Sequence, residues 1–231
     1  MPHYLIIAAV LLALYAVGIY ALRYIRDKRW PNVAFPIVIF IFYLYVVITM
    51  YLDVGFHDWN FQNTLPTANV SPFTYCLALL TLVLPKKVKE YIYTLIALLS
   101  FGLLVAGMLT CFSNAARDYA FHWTITFDSL AHVLLSLFGV YLVKSGQVRL
   151  EQKKCLFSGL IIVGVAVVML VLNLIFHTAF FGLSLHGKHN IYNMVLCESG
   201  YLSAGLYFIG LCAVLTLGYF YQKGLQALKK A

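Results

Sequence analysis

The chain has 231 residues, of which 63% are hydrophobic and 10% charged, and its 16 lysines and arginines outnumber its 8 acidic residues for a net charge of +8. A soluble domain carries roughly a quarter charged residues, and a core of this length in water cannot hide so much apolar surface. A soluble enzyme and a nucleic-acid-binding protein are therefore both excluded, and membrane lipid is the expected surrounding.

Seven apolar runs follow one another, at 4–22, 32–52, 65–84, 91–111, 123–143, 155–178 and 195–222. Each is close to the ~20 residues that cross a bilayer as a helix. The first run is too long for a signal-peptide core and has its positive cluster after it, so it is expected to stay as a span. Fourteen of the sixteen basic residues form four clusters between alternate runs: Arg23/Arg26/Lys28/Arg29, Lys86/Lys87/Lys89, Lys144/Arg149/Lys153/Lys154 and Lys223/Lys229/Lys230. Against Asp27, Glu90 and Glu151 these loops carry +11, whereas the rest of the chain carries −3. The positive-inside rule places the clusters in the cytoplasm, facing anionic headgroups. The expected fold is all-α: a polytopic membrane helix bundle of seven transmembrane helices in one domain, residues 1–231. Its amino terminus lies outside and its carboxyl terminus in the cytoplasm.

The loops expected outside, 53–64, 112–122 and 179–194, are rich in His, Asn, Asp and aromatic residues. Five cysteines, Cys76, Cys111, Cys155, Cys197 and Cys212, form no CxxC pair and read as small hydrophobes. Cys111 and Cys197 both fall near the outer face, and their pairing stays open.

Polar residues inside a span cost several kcal/mol unless paired, so each needs a reason. The third span opens Leu65-Pro66-Thr67-Ala68-Asn69-Val70-Ser71-Pro72. Pro72 cannot donate to the Ala68 carbonyl. This stretch is either a capped, kinked helix start, satisfied by Thr64 or Asn69, or a place where Thr67 or Ser71 presents a hydroxyl to a cavity. The fifth span carries Asp128 and His132, one turn apart on one face. His132 falls roughly 13 Å below the outer surface, near mid-bilayer. A carboxylate one turn away orients the imidazole. The sixth span ends on Asn173 and His177, also one turn apart. Glu198 opens the seventh, as a structural ion-pair partner at a helix start or as a substrate ligand. His57, His122, His132, His177, His186 and His189 are expected in the outer half or the outer loops. They form no tight ligand set, so no metal and no cofactor is expected. No nucleotide-binding glycine motif and no GxSxG nucleophile motif occurs.

The stretch LPTANVSPFTYCLALLTLVLPKKVKEYIYTLIALLSFGLLVAGMLT resembles the YwaF-type integral membrane family, with a leucine-proline pair before a helix and then a basic turn. FHWTITF and SLAHVLLSLFGVYLV are similar to the family's His-containing loop and serine-histidine helix, and NLIFHTAFFGLSL to its asparagine-led loop. The likeness covers roughly residues 60–190. It implies a distant similarity to transmembrane ether-lipid acyltransferases and to androgen-induced transmembrane hydrolases, which use an intramembrane nucleophile and a histidine. His132 is the position that matches the histidine. The His and Cys usual after leucine-proline are replaced by Thr67, Ala68, Asn69 and Val70. That leaves Thr67 or Ser71 as the hydroxyl.

Three functions follow as expectations. The first is a lipid acyl hydrolase or acyltransferase working in a polar cavity of the outer half-bilayer. Thr67 or Ser71 attacks, His132 is the base, Asp128 orients it, and Asn69 or Asn173 faces the oxyanion. The second is a binding or transport subunit, with Asp128, His132, Asn173, His177 and Glu198 around a small polar or cationic molecule. The third is an accessory subunit whose aromatic outer loops meet a membrane protein partner. The expected partners are membrane lipid, a small-molecule or lipid ligand in that cavity, and such a protein, with no nucleic acid. The expected location is a bacterial plasma membrane.

Overall fold

A computed structural model describes residues 3–52, 69–110, 123–178, 180–183 and 200–227. Thr67, Glu198, Cys111, Cys197 and most of the three outer loops lie outside them. The described chain folds as α1 (His3–Ile25), α2 (Pro31–Leu52), α3 (Val70–Leu80), α4 (Lys86–Thr110), α5 (Trp123–Lys144), α6 (Gln152–Phe176), a 3-10 turn (Phe180–Gly182) and α7 (Gly200–Ala227). All helices but α3 are long and apolar enough to cross a membrane. Their outward faces leave Val17, Phe176, Ile209 and Phe220 at least 64% exposed. Apolar surface of that extent is stable only against lipid, so the chain is a multi-pass membrane protein.

The apolar runs and the helices differ at their ends. α4 starts at Lys86 rather than 91, because its lysines can extend toward the headgroups while their backbone continues the helix. α3 departs further. Its 11 residues rise roughly 16 Å, about half of a ~30 Å hydrocarbon core. The expected span over 65–84 is therefore a short described helix, and residues 81–84 turn back toward α4. Pro72 falls at the third helical position, where an N–H has no intrahelical acceptor anyway, so the proline costs α3 no bond.

α5 is the central helix, touching α1, α2, α4 and α7. In its most apolar stretch 72% of residues are buried, against 22% in α1, α2, α6 and α7. The helix carrying the membrane's polar residues is thus the one most shielded from lipid. α1 rests on it through Ala8, Leu11 and Tyr15 against Val133 and Leu137. α7 approaches α4 backbone to backbone: a Cβ at Gly218 would fall on the Leu98 carbonyl oxygen.

Contacts gather the first three basic clusters at one end. Tyr141 Oη, on the last turns of α5, donates to the Lys28 carbonyl at 2.7 Å. Lys154 Nζ, at the start of α6, pairs with Glu90 Oε2 at 3.1 Å, and Ser158 Oγ donates to the Tyr91 carbonyl at 3.1 Å.

Candidate functional site

Among the polar residues of α5, His132 has the densest set of partners. It is 7% exposed. Counting from Lys144, it stands roughly 18 Å above the basic end, close to mid-bilayer. Its Nδ1 lies 2.7 Å from Tyr75 Oη on α3, 2.9 Å from the Asp128 carbonyl oxygen and 3.6 Å from Asp128 Oδ1. Tyr75 is fully buried, and its ring meets the imidazole edge-on, with centroids 5.6 Å apart. Tyr43 of α2 closes the other side of Tyr75 at 5.7 Å. Gly107 permits the close approach of α4 beneath His132: a Cβ there would lie 2.9 Å from His132 Cβ and 3.2 Å from the Ser129 carbonyl.

This crowding selects a tautomer. A bare Nδ1 lone pair would face the carbonyl oxygen of Asp128 at 2.9 Å, which is repulsive. With the proton on Nδ1, the N–H donates toward Tyr75 Oη and the Asp128 oxygens, and the lone pair moves to Nε2. Nε2 has no hydrogen-bond partner among the described residues. A ring held by an acceptor on one nitrogen and open at the other has the arrangement of a general base.

The other expected site residues are placed as follows. Ser71 lies four residues before Tyr75 on α3, so it shares that face, roughly 6 Å further toward the helix start. Ser71 is half-buried, and no described hydrogen bond joins it to His132. Asn69 takes the N-cap position with an extended backbone (φ −144°, ψ 165°), but its side chain makes no capping bond. Thr67 and Glu198 fall outside the described residues. His177 ends α6 in the left-handed conformation (φ 52°) and is exposed.

Asn173 is 2% exposed, and its amide is fully engaged. Nδ2 donates to the carbonyls of Phe180 (2.9 Å) and Leu183 (2.7 Å). Oδ1 accepts from Thr178 Oγ1 and the Phe180 amide, both at 2.8 Å. These bonds fold Thr178 and residues 180–183 back over the end of α6. They set Phe181, with its positive φ of 56°, into the core against the Phe73 ring of α3 at 5.5 Å.

A second polar cluster went unread in the sequence. Ser136 continues the Asp128–His132 stripe by one more turn, and that spacing is the signal that could have found it. Counting donors orders its bonds. Tyr221 Oη donates to Tyr15 Oη at 2.6 Å, and Tyr15 donates to Ser136 Oγ at 3.0 Å. Ser136 donates to the Ser100 carbonyl at 2.7 Å. Gln222 Nε2 donates to Ser100 Oγ at 2.8 Å, and Ser100 Oγ donates to the Ala97 carbonyl at 2.7 Å. The cluster joins α1, α4, α5 and α7 through groups that lipid cannot satisfy. Tyr75, on the His132 ring, is the other residue missed; one tyrosine among 17 carries no signal without its neighbour in space.

Comparisons of the chain with protein-family models, curated proteins and solved structures found no match.

Proposed function

We propose that this multi-pass membrane protein cleaves or transfers an ester-linked acyl group of a lipid, with His132 as general base and Ser71 or Thr67 as nucleophile. One observation carries the reading: Tyr75 of α3, the helix that bears Ser71, reaches the base His132 at 2.7 Å. The acyl class rests on the YwaF-type resemblance. In the first step the serine or threonine oxygen attacks the acyl carbonyl carbon and its proton passes to His132 Nε2. The leaving alcohol then takes that proton as the ester bond breaks, and water or a second alcohol releases the acyl group by the reverse transfer. The oxyanion would be met by Asn69 and by the first amides of α3, whose N–H groups have no intrahelical acceptor. Three of the basic clusters, gathered at one end, support a cytoplasmic carboxyl terminus and seven crossings.

The test is acyl release from an ester phospholipid by protein reconstituted in vesicles. His132→Ala should lower the rate by roughly 100-fold or more, as should alanine at whichever of Ser71 and Thr67 is the nucleophile. Wild-type rates surviving in His132→Ala would overturn the reading.

A second reading has its own support. Asp128 is 32% exposed at its side chain, and His132 is its only ion-pair partner among the described residues. A carboxylate so placed suits a small cationic ligand. Uptake or binding of a cation that Asp128→Asn abolishes, without acyl release by the wild type, would favour it.

A further inference from the structure

Away from the His132 centre, α6 and α7 splay apart toward lipid and leave a groove of about 370 Å³, with Leu98 of α4 among its lining residues. Its α6 wall runs from Gln152 to Val163, a rise of roughly 16 Å. That equals the depth of one leaflet's hydrocarbon, about half of ~30 Å. The groove begins at the basic end of the bundle and stops near its middle. Its lining is chiefly apolar, with Leu156, Leu160 and Phe220 turned outward at 53% exposure or more. Gly159 keeps it open: a Cβ there meets only Leu215 Cδ1, at an ordinary 3.5 Å, so any longer side chain would reach into the space.

The mouth carries an exposed lysine, with the acidic Glu151 beside Gln152. Lys223 Nζ sits 5.6 Å from the centroid of the Tyr219 ring, and Tyr219 and Gln152 both line the groove. Lys223 is exposed, whereas Lys154 nearby is already paired with Glu90. A leaflet-deep apolar slot with an exposed ammonium, in no ion pair among the described residues, at the headgroup level matches a molecule with a long acyl chain and an anionic head. We propose that this groove is a binding site for an anionic phospholipid of the leaflet at the basic end. One acyl chain lies between α6 and α7, and the phosphate meets Lys223 and the Gln152 amide. A zwitterionic lipid fills the same slot but gains less from Lys223. The site uses none of the residues assigned to acyl chemistry and stands apart from that reading.

The test uses the full chain in nanodiscs containing trace phosphatidylglycerol with a diazirine in its acyl chain, and in parallel the same probe built on phosphatidylcholine. After illumination the adducts are mapped by mass spectrometry. Adducts should concentrate on residues 152–163 and 212–220, with phosphatidylglycerol favoured by about fivefold, the effect of one lysine near a headgroup. Lys223→Gln, a change at an exposed position, should bring the two probes to parity while leaving the adduct positions in place. Gly159→Leu should remove the adducts from the groove. Adducts spread evenly over the lipid-facing sides of α1, α2 and α6, or equal capture of the two lipids by the wild type, would overturn the proposal. Because the wild type and Lys223→Gln decide the matter alone, a folding defect in Gly159→Leu leaves the test intact.

Discussion

The Tyr75 hydroxyl lies 2.7 Å from His132 Nδ1, on a different helix and 57 residues away in the chain. Through it α3, too short to cross a bilayer, is tied to the central helix at the level of the imidazole. The contact anchors α3, while the Asp128 carbonyl, 2.9 Å from the same nitrogen, decides which ring nitrogen is left open. Structure and proposed chemistry therefore separate under mutation. Tyr75→Phe keeps the ring packing and the Asp128 carbonyl as acceptor, and should cost about 1 kcal/mol of stability. It should also leave part of the acyl-release activity. His132→Ala should lower it by roughly 100-fold or more. Thermal unfolding in detergent and the vesicle assay check the pair. A Tyr75→Phe protein as inactive as His132→Ala would show that the hydroxyl itself takes part in the reaction.

Asn173 holds Thr178 and residues 180–183 in place with four hydrogen bonds. In Asn173→Ala the Leu183 carbonyl, the Phe180 amide and the Thr178 hydroxyl lose their partner, while the Phe180 carbonyl keeps the Leu183 N–H at 3.1 Å, and the core loses its hold on Phe181 and Leu183. The expected cost is at least about 2 kcal/mol, because each buried group left unpaired costs about 1–3 kcal/mol. The direct readout is hydrogen exchange at the Phe180 amide, which should become fast in the variant. Unchanged protection there would mean that the loop is held by its buried side chains alone.

Two glycines on lipid-embedded helices should behave in opposite ways. A Cβ at Gly218 collides with the Leu98 carbonyl, a backbone atom that cannot step aside, whereas nothing lies within 4 Å of a Cβ at Gly164. Gly218→Ala should force α7 off α4 and lower the yield of folded protein. Gly164→Ala should be neutral or mildly stabilising, since alanine is the better helix former by about 1 kcal/mol. Equal thermal stability of the two variants would contradict the helix approach described here.

The chain's apolar runs and basic clusters made most of the helices legible, because lipid exposure leaves a one-dimensional record in hydropathy. α2 begins within one residue of its run, at Pro31, where a first-turn proline suits a helix. The record fails where the reason is not lipid. α3 starts at Val70, five residues into its run, and the lysines of α4 belong to the helix although hydropathy stops short of them. The Asp128–His132 pair was readable because both residues lie on one helix at a fixed spacing. Tyr75 was not, since its role comes from a side chain that reaches α5 from α3, a helix packed on α2 and α4. Asn173 was readable as an anomaly but not in its task, which depends on how Thr178 and residues 180–183 fold back.

The buried hydrogen-bond cluster gives a coupling prediction. Tyr15 and Tyr221 share a 2.6 Å bond between the first and last helices. Tyr15→Phe and Tyr221→Phe should each destabilise the protein, and the double variant by less than their sum. A coupling energy of about 0.6 kcal/mol is expected, typical of polar contacts between membrane helices. Strict additivity in a double-mutant cycle would mean that each hydroxyl finds another partner.

The central claim is that His132 activates a hydroxyl on or just before α3. A fluorophosphonate that labels activated hydroxyls, applied to the protein in lipid vesicles and followed by mapping of the adduct, tests this most directly. The account expects a single adduct on Ser71 or Thr67 that disappears in His132→Ala, a variant that still elutes as folded protein. An adduct of equal intensity in His132→Ala, or none in the wild type, would contradict it.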